Sequence, residues 1–102
     1  MNDPQVTEAA RVLAERLIND ENKIEKAFRL IICRKASGKE IDILEKYFEA
    51  EKAIFEKTPG EAEKLISIGE YKHESVSDKA GLAAMIEVIM TIYNMEEAIV
   101  KS

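Results

Sequence analysis

The residues best suited to chemistry in this chain spell Glu-x-x-His, at Glu70 and His73. This spacing places two ligands on one face of a helix in di-iron bundles. Such a site needs a second copy of the motif and two further inward carboxylates, whereas this chain contains a single His. The motif also follows Gly69, a typical helix-ending residue, in a segment with neither helical nor strand periodicity. We therefore assign no metal ligands.

Cys33 and His73 are the only Cys and the only His. One residue of each type leaves no zinc-ligand set or catalytic constellation that we can assign. Cys33 ends the apolar run Leu30-Ile31-Ile32-Cys33, which predicts a small buried hydrophobic residue. We accordingly assign no catalytic and no cofactor-binding residues. We expect the isolated chain to bind neither haem nor a transition metal.

The overall charge disfavours nucleic-acid binding, because that affinity comes from clustered Lys and Arg. The 102 residues carry a net charge of -5 and are 46% apolar and 34% charged, which is typical of one globular helical domain. Residues 28–48 could form two helices around a basic connection, superficially like a helix-turn-helix. The second of these helices would present acidic residues that repel phosphates: Asp42, Glu45, Glu49 and Glu51. The same pattern of Glu45, Glu49 and Glu56 indicates a solvated face more readily than a glycosidase carboxylate pair.

Residues 80–93 predict the central element of the fold, since Glu87 is their only charge. The run is too short to span a bilayer, which needs about 20 apolar residues. A helix that is apolar nearly all round lies in a core with other helices around it. The sequence therefore predicts that a last helix, at about 78–94, is the most buried element of an all-α bundle.

Capping signals predict four helices before it. The first opens at Asp3-Pro4 and ends near Asn19, and Asp20 caps the second. Ser37 and Glu40 form the Ser-x-x-Glu capping box of the third helix. Thr58-Pro59-Gly60-Glu61 repeats that device for a short fourth helix, which Gly69 ends; residues 70–77 are a loop, and Ser77 or Asp78 caps the last helix.

Helical spacing assigns the apolar residues of these helices to inner faces. The inward positions are Val6, Ala9, Ala10, Leu13, Leu17 and Ile18, then Ile24, Ala27, Phe28, Ile31 and Ile32, then Ile41, Leu44, Tyr47, Phe48, Ile54 and Phe55, and finally Ala62, Leu65 and Ile66. The result is a compact bundle of about five helices.

Four polar residues are candidates for structural roles. Glu87 either marks a narrow strip where the last helix reaches solvent, or forms a buried ion pair with Arg29 or Arg16 that fixes helix register. Arg34 lies at the end of the second helix, where the macrodipole favours a cation. Asn94 interrupts an apolar face, and we expect its amide to be buried against backbone groups of another element, the alternative being an exposed residue at the helix end.

The chain resembles the C-terminal part of a domain of unknown function found in large planctomycete-type cytochrome c-like proteins, also frequent in Bacteroidetes and Verrucomicrobia. The matching segments fall in family order along essentially the whole chain. They are Asn2-Asp3-Pro4, Glu8-Ala9-Ala10, Leu13-Ala14-Glu15-Arg16, Ala27-Phe28-Arg29-Leu30 leading to Arg34, then Glu40, Leu44, Gly69-Glu70, Leu82-Ala83-Ala84 and Asn94-Met95-Glu96-Glu97. The family often has Gly in place of Cys33, prolines in place of Lys35-Ala36-Ser37, an aromatic residue in place of Met85 and Phe in place of Ala98.

The resemblance implies a large exported parent protein, periplasmic or extracellular, with an upstream haem-attachment domain of the Cys-x-x-Cys-His type. This chain lacks that haem motif. It would then be a C-terminal, non-catalytic helical module that packs on upstream domains of its parent or on a protein partner, without nucleic acid and without a membrane span. Two alternatives stay open: one wall of an enzyme whose catalytic groups lie upstream, and the helix-turn-helix module that the acidic residues disfavour.

Overall fold

The computed structural model describes residues 4–66 and 79–101, with side chains described for 7–66 and 79–95. In these ranges the chain forms five helices and no strand. The helices are α1 (Pro4–Leu17), α2 (Lys23–Ile32), α3 (Gly38–Lys57), α4 (Pro59–Ile66) and α5 (Lys79–Lys101). The prediction of an all-α bundle of about five helices is confirmed. Gly69, the loop at 70–77 and the caps proposed for the last helix lie outside the described residues.

The last helix, α5, is the centre of the bundle. It packs against each of the other four helices, which touch one another far less. Eight of its side chains have no exposed surface, namely Leu82, Ala83, Ala84, Met85, Ile86, Val88, Ile89 and Ile92. Burying a large apolar side chain contributes about 1.5–3 kcal/mol. The prediction that the near-chargeless helix is the most buried element is therefore confirmed, although α5 continues past Tyr93 to Lys101.

Among the described side chains, the inner faces of the outer helices follow the predicted spacing with two exceptions; the side chain of Val6 lies outside the described residues. In α2 the buried residues recur at helical intervals: Ile24, Ala27, Phe28 and Ile31. Ala9 in α1 and Ile54 in α3 were placed on inner faces but are exposed. Ile54 lies six positions after the buried Phe48, which turns Ile54 about 120° away from the core, whereas Phe55 returns to that face.

The capping box of α3 is confirmed and α4 begins directly after Thr58 as predicted, whereas the predicted cap of α2 is wrong. At α3 the Glu40 amide donates to Ser37 Oγ at 3.2 Å, and the Ser37 amide donates to Glu40 Oε1 at 2.9 Å. The α2 helix begins later than expected, at Lys23, because Asp20 instead accepts the Asn22 amide at 2.8 Å in the preceding turn. At α4 the Thr58 carbonyl accepts the Glu61 amide at 3.0 Å, while the Thr58 hydroxyl donates to Ile54 O at 2.8 Å and closes the last turn of α3.

Cys33 ends α2 in a left-handed conformation, with φ of 65°. Its amide donates to Arg29 O at 3.0 Å and closes the last turn. The residue is exposed, so the prediction of a buried Cys33 is wrong. The reversal of the backbone at the helix end points this side chain away from the face that carries Phe28 and Ile31 into the core.

We expect Cys33→Gly to raise the free energy of unfolding by about 0.5–1 kcal/mol. A left-handed conformation costs an L-residue roughly 1–2 kcal/mol, and Gly adopts it without that cost. Part of this gain is offset because Gly loses more backbone entropy on folding than other residues do. Urea denaturation of Cys33→Gly and of Cys33→Ala separates backbone relief from loss of the thiol. Only the glycine variant is expected to gain stability, and an equal gain in both would contradict the backbone explanation.

Candidate functional site

A cluster of polar side chains lies where α3 meets α5. It contains Tyr47 and Glu51 on α3, and Glu87 and Thr91 on α5. The Thr91 hydroxyl donates to Glu87 O at 2.9 Å. Burial raises the pKa of the half-buried Glu87 carboxyl above its ordinary value, and the nearby Glu51 carboxylate raises it further. The ionised form of Glu87 is therefore disfavoured in the folded protein.

Glu87 does not form the ion pair considered from the sequence. It faces α3 and α4, while Arg29 is exposed on α2 beside Lys26 and Leu30, and Arg16 is exposed on α1. No hydrogen bond or ion pair of the Glu87 carboxylate occurs among the described side chains. The ion-pair hypothesis is thus wrong, and the partial exposure of Glu87 agrees with the alternative of a strip where α5 reaches solvent.

We expect Glu87→Gln to stabilise the protein at neutral pH. The folded-state pKa of Glu87 is raised, so the folded protein binds this proton more tightly than the unfolded chain. The wild type therefore becomes more stable as the pH falls through that pKa. The neutral amide of Gln does not titrate, so the variant lacks both the loss of stability at neutral pH and this pH dependence. Urea denaturation between pH 4 and pH 7 (roughly the range of carboxyl titration) measures it. A wild-type-like pH slope in the variant would contradict the assignment.

Glu87 lines a cleft formed by three helices, which we name the α3–α4–α5 cleft. Its volume is about 490 Å³, and its other lining residues are Ile54, Phe55, Thr58, Glu61, Lys64 and Leu65. Ile54 is 54% exposed, while Phe55 and Leu65 are half-buried. The cleft therefore combines apolar walls with one half-buried carboxylate, the composition typical of binding sites.

A second cleft lies between α1 and α5, and we name it the α1–α5 cleft. It has a volume of about 510 Å³ and is lined by Glu8, Ala9, Val12, Leu13, Arg16 and Tyr93. Val12 is 43% exposed, and Ala9 beside it is exposed as well. Its lining is mostly aliphatic and aromatic, with one exposed acidic residue, Glu8, and one exposed basic residue, Arg16.

Arg34 joins the end of α2 to the start of α3. Its guanidinium donates two hydrogen bonds to the Glu40 carboxylate, at 3.0 and 2.9 Å, and lies 5.1 Å from the centre of the Phe28 ring. The hydrogen bonds from Arg34 and from the Ser37 amide lower the pKa of Glu40 to about 2. Arg34 therefore holds the capping residue of the next helix, which the macrodipole argument alone did not predict.

The lowered pKa of Glu40 predicts a stability loss in acid. Its folded-state pKa lies below the unfolded value, so its contribution is complete above about pH 4.5 and is lost as the pH falls towards 2. We expect Glu40→Gln to be less stable at neutral pH and to lose less stability between these pH values than the wild type. Equal acid sensitivity in both proteins, measured by urea denaturation, would show that Glu40 is not responsible.

Arg11 is a buried charged residue that the sequence analysis missed. Its side chain has no exposed surface, and its Nη1 donates to Glu15 Oε1 at 2.6 Å, one helical turn later. Thr7 beside it is only 2% exposed. The spacing of these two polar residues was the available signal for their burial: Thr7 and Arg11 lie four positions apart, on the same side of α1 as Ala10 and Ala14.

Asn94 is exposed, so the expectation of a buried amide is wrong. The buried residues nearest to it in α5 are Ile92, which has no exposed surface, and Met90, which is 9% exposed. Two residues after Ile92 the helix has turned by about 200°, which directs Asn94 away from the core. Because α5 continues beyond it, Asn94 is a helical surface residue with no terminal role.

The described residues contain no group of three or more His, Cys, Asp or Glu that could hold a metal ion. The Glu70–His73 motif lies outside them. On α3, Asp42, Glu45 and Glu49 are exposed, as the argument against DNA binding assumed, whereas Glu51 is half-buried and lies near Glu87 of α5. None of the described helices is long and apolar enough to cross a membrane.

Comparison with known proteins gives one family similarity, at the N-terminal end. Residues 1–48 match the family model described as PSD1: Protein of unknown function (DUF1553). No match to the chain was found among curated proteins or among solved structures. The part similar to PSD1 contains α1, α2 and the first half of α3, with Arg11, Cys33 and the Arg34–Glu40 pair. The later segments of the resemblance, from Gly69 onwards, lie outside this match.

Proposed function

We propose that this chain is a non-catalytic helical module that packs through α1 on the rest of a larger protein. The observation that carries the proposal is the α1–α5 cleft, where Val12 is 43% exposed over an apolar floor. A partner helix placed there would cover Val12 and Ala9, and Glu8 and Arg16 could pair with charges at its rim. The α1 part of this surface also lies within the residues similar to PSD1.

The larger protein proposed here is an exported cytochrome c-like protein, periplasmic or extracellular, as the family resemblance implies. Its haem-attachment domain lies upstream, and the present module carries no haem. Two facts about this chain support the structural role. The central helix is almost entirely buried against the other four helices, and burial together with the nearby Glu51 accounts for the raised pKa of Glu87 without a catalytic role.

To test this proposal, the protein encoded by the complete reading frame is split at the first residue of this chain, and the two parts are coexpressed. We expect them to copurify, and we expect Val12→Glu to abolish copurification while leaving the module folded by circular dichroism. Ile43→Glu is the matched control, because Ile43 is 59% exposed on α3, outside the α1–α5 cleft. Copurification unaffected by Val12→Glu, or a reading frame without upstream domains, would refute the proposal.

A further inference from the structure

The α3–α4–α5 cleft differs from the α1–α5 cleft in having a carboxylate inside it. Glu87 is half-buried among the cleft residues, and Glu51 is the charge that acts on its pKa. Among the described side chains, no ion pair includes either carboxylate. Negative charge inside an apolar cleft is stabilised by a positive charge that enters with the ligand.

The walls of the cleft suit an apolar stem that carries such a charge. Ile54 and Phe55 on α3 face Leu65 on α4, and Ile54 leaves more than half of its surface exposed. Lys and Arg have this form, since their methylene stems pack on apolar surface while the charged end reaches a polar group. Phe55 adds an aromatic face that attracts cations.

We propose that the α3–α4–α5 cleft binds a Lys or Arg side chain presented on the apolar face of a helix from a protein partner. Charge complementarity selects this occupant: the carboxylate of Glu87 pairs with the cation, and Ile54 and Leu65 contact the apolar neighbours on the partner helix. All of these residues lie outside residues 1–48. The proposal is therefore independent of the packing of α1 on a larger protein.

The test uses two helical peptides of about 15 residues, the length at which isolated helices become stable. Both consist of Ala, Leu and Gln, and one has Lys at the centre of its apolar face where the other has norleucine. We expect the Lys peptide to bind about tenfold more tightly, since a charge-assisted hydrogen bond is gained. Chemical shifts in the ¹⁵N spectrum should change at Ile54, Phe55, Leu65 and Glu87.

Two variants assign the preference to Glu87. Glu87→Gln is expected to bind both peptides equally, whereas Glu45→Gln, which alters an exposed carboxylate on α3 outside the cleft, should keep the tenfold preference. The comparison of the two peptides on the wild type needs no variant and stands even if Glu87→Gln folds poorly.

Equal binding of the two peptides, binding of neither peptide, or chemical-shift changes confined to other faces of the protein would overturn the proposal. Butylammonium that binds as tightly as the Lys peptide would also overturn it, because the occupant would then be a small amine.

Discussion

Replacing Ile89 with Asp is expected to lower the free energy of unfolding by roughly 3–5 kcal/mol, the largest effect of any substitution considered. Ile89 has no exposed surface and lies on the central helix, where α5 meets its neighbours. The carboxylate would lose its water, and the core would lose the contacts of the isoleucine side chain. Urea denaturation followed by circular dichroism measures the change.

Ile43→Asp is the matched control for this prediction. It makes the same chemical change on α3 at a position that is 59% exposed. We expect it to alter stability by no more than about 0.5 kcal/mol, as surface substitutions generally do. Similar losses in both variants would mean that the burial of α5 is not the source of the effect, and an unchanged midpoint for Ile89→Asp would place that residue at the surface.

Arg11→Ala is expected to destabilise the protein by roughly 3 kcal/mol, because removing one member of a buried ion pair leaves the other charge behind. The guanidinium is fully buried, and the Glu15 side chain that accepts its hydrogen bond is only 23% exposed. The substitution also removes the volume of the largest fully buried side chain in the described part of the bundle. Thermal and urea unfolding both measure the loss.

Arg16→Ala controls for the loss of positive charge on α1. Arg16 lies on the same helix but is exposed, so we expect a change within about 0.5 kcal/mol. The double variant Arg11→Met with Glu15→Leu should recover much of the loss, since an apolar pair of similar volume replaces a buried ion pair without a desolvation cost. Equal effects of Arg11→Ala and Arg16→Ala would show that the charge matters and its burial does not.

The parts of the fold that the sequence predicts are those in which one local signal decides the outcome. The run around Glu87 contains almost no charge, so it has to lie in the core whatever surrounds it. The Ser37–Glu40 capping box is likewise a local pattern in which both side chains act on neighbouring amides. Neither prediction depends on how distant parts of the chain meet.

The errors arise where two local interactions compete for the same residue. Asp20 is a good cap by composition, but its carboxylate accepts the Asn22 amide in the turn before α2. Thr58 directly precedes α4 as predicted, but its hydroxyl donates to Ile54 O at the end of α3. Cys33 follows an apolar run, yet the end of α2 places it in a left-handed conformation at the surface. Such outcomes depend on where a helix stops, which is the least certain feature of a sequence pattern.

The candidate sites depend on tertiary contacts and could not be predicted from the sequence. Glu87 was recognised as unusual, but its neighbours Tyr47 and Glu51 come from α3, and Leu65 of the same cleft comes from α4. The buried Arg11 was missed because an Arg on an amphipathic helix is normally exposed. Both features become visible once the packing of the outer helices on α5 is known.

The most direct test of the proposed packing through α1 measures the accessibility of position 12. In a Cys33→Ser background, Val12→Cys is made both in the isolated chain and in the product of the complete reading frame, and its reaction with a maleimide dye is timed. We expect fast labelling in the isolated chain and strong protection in the larger protein, while Ile43→Cys, the control, reacts equally in both. Equal labelling of position 12 in the two proteins would contradict the account.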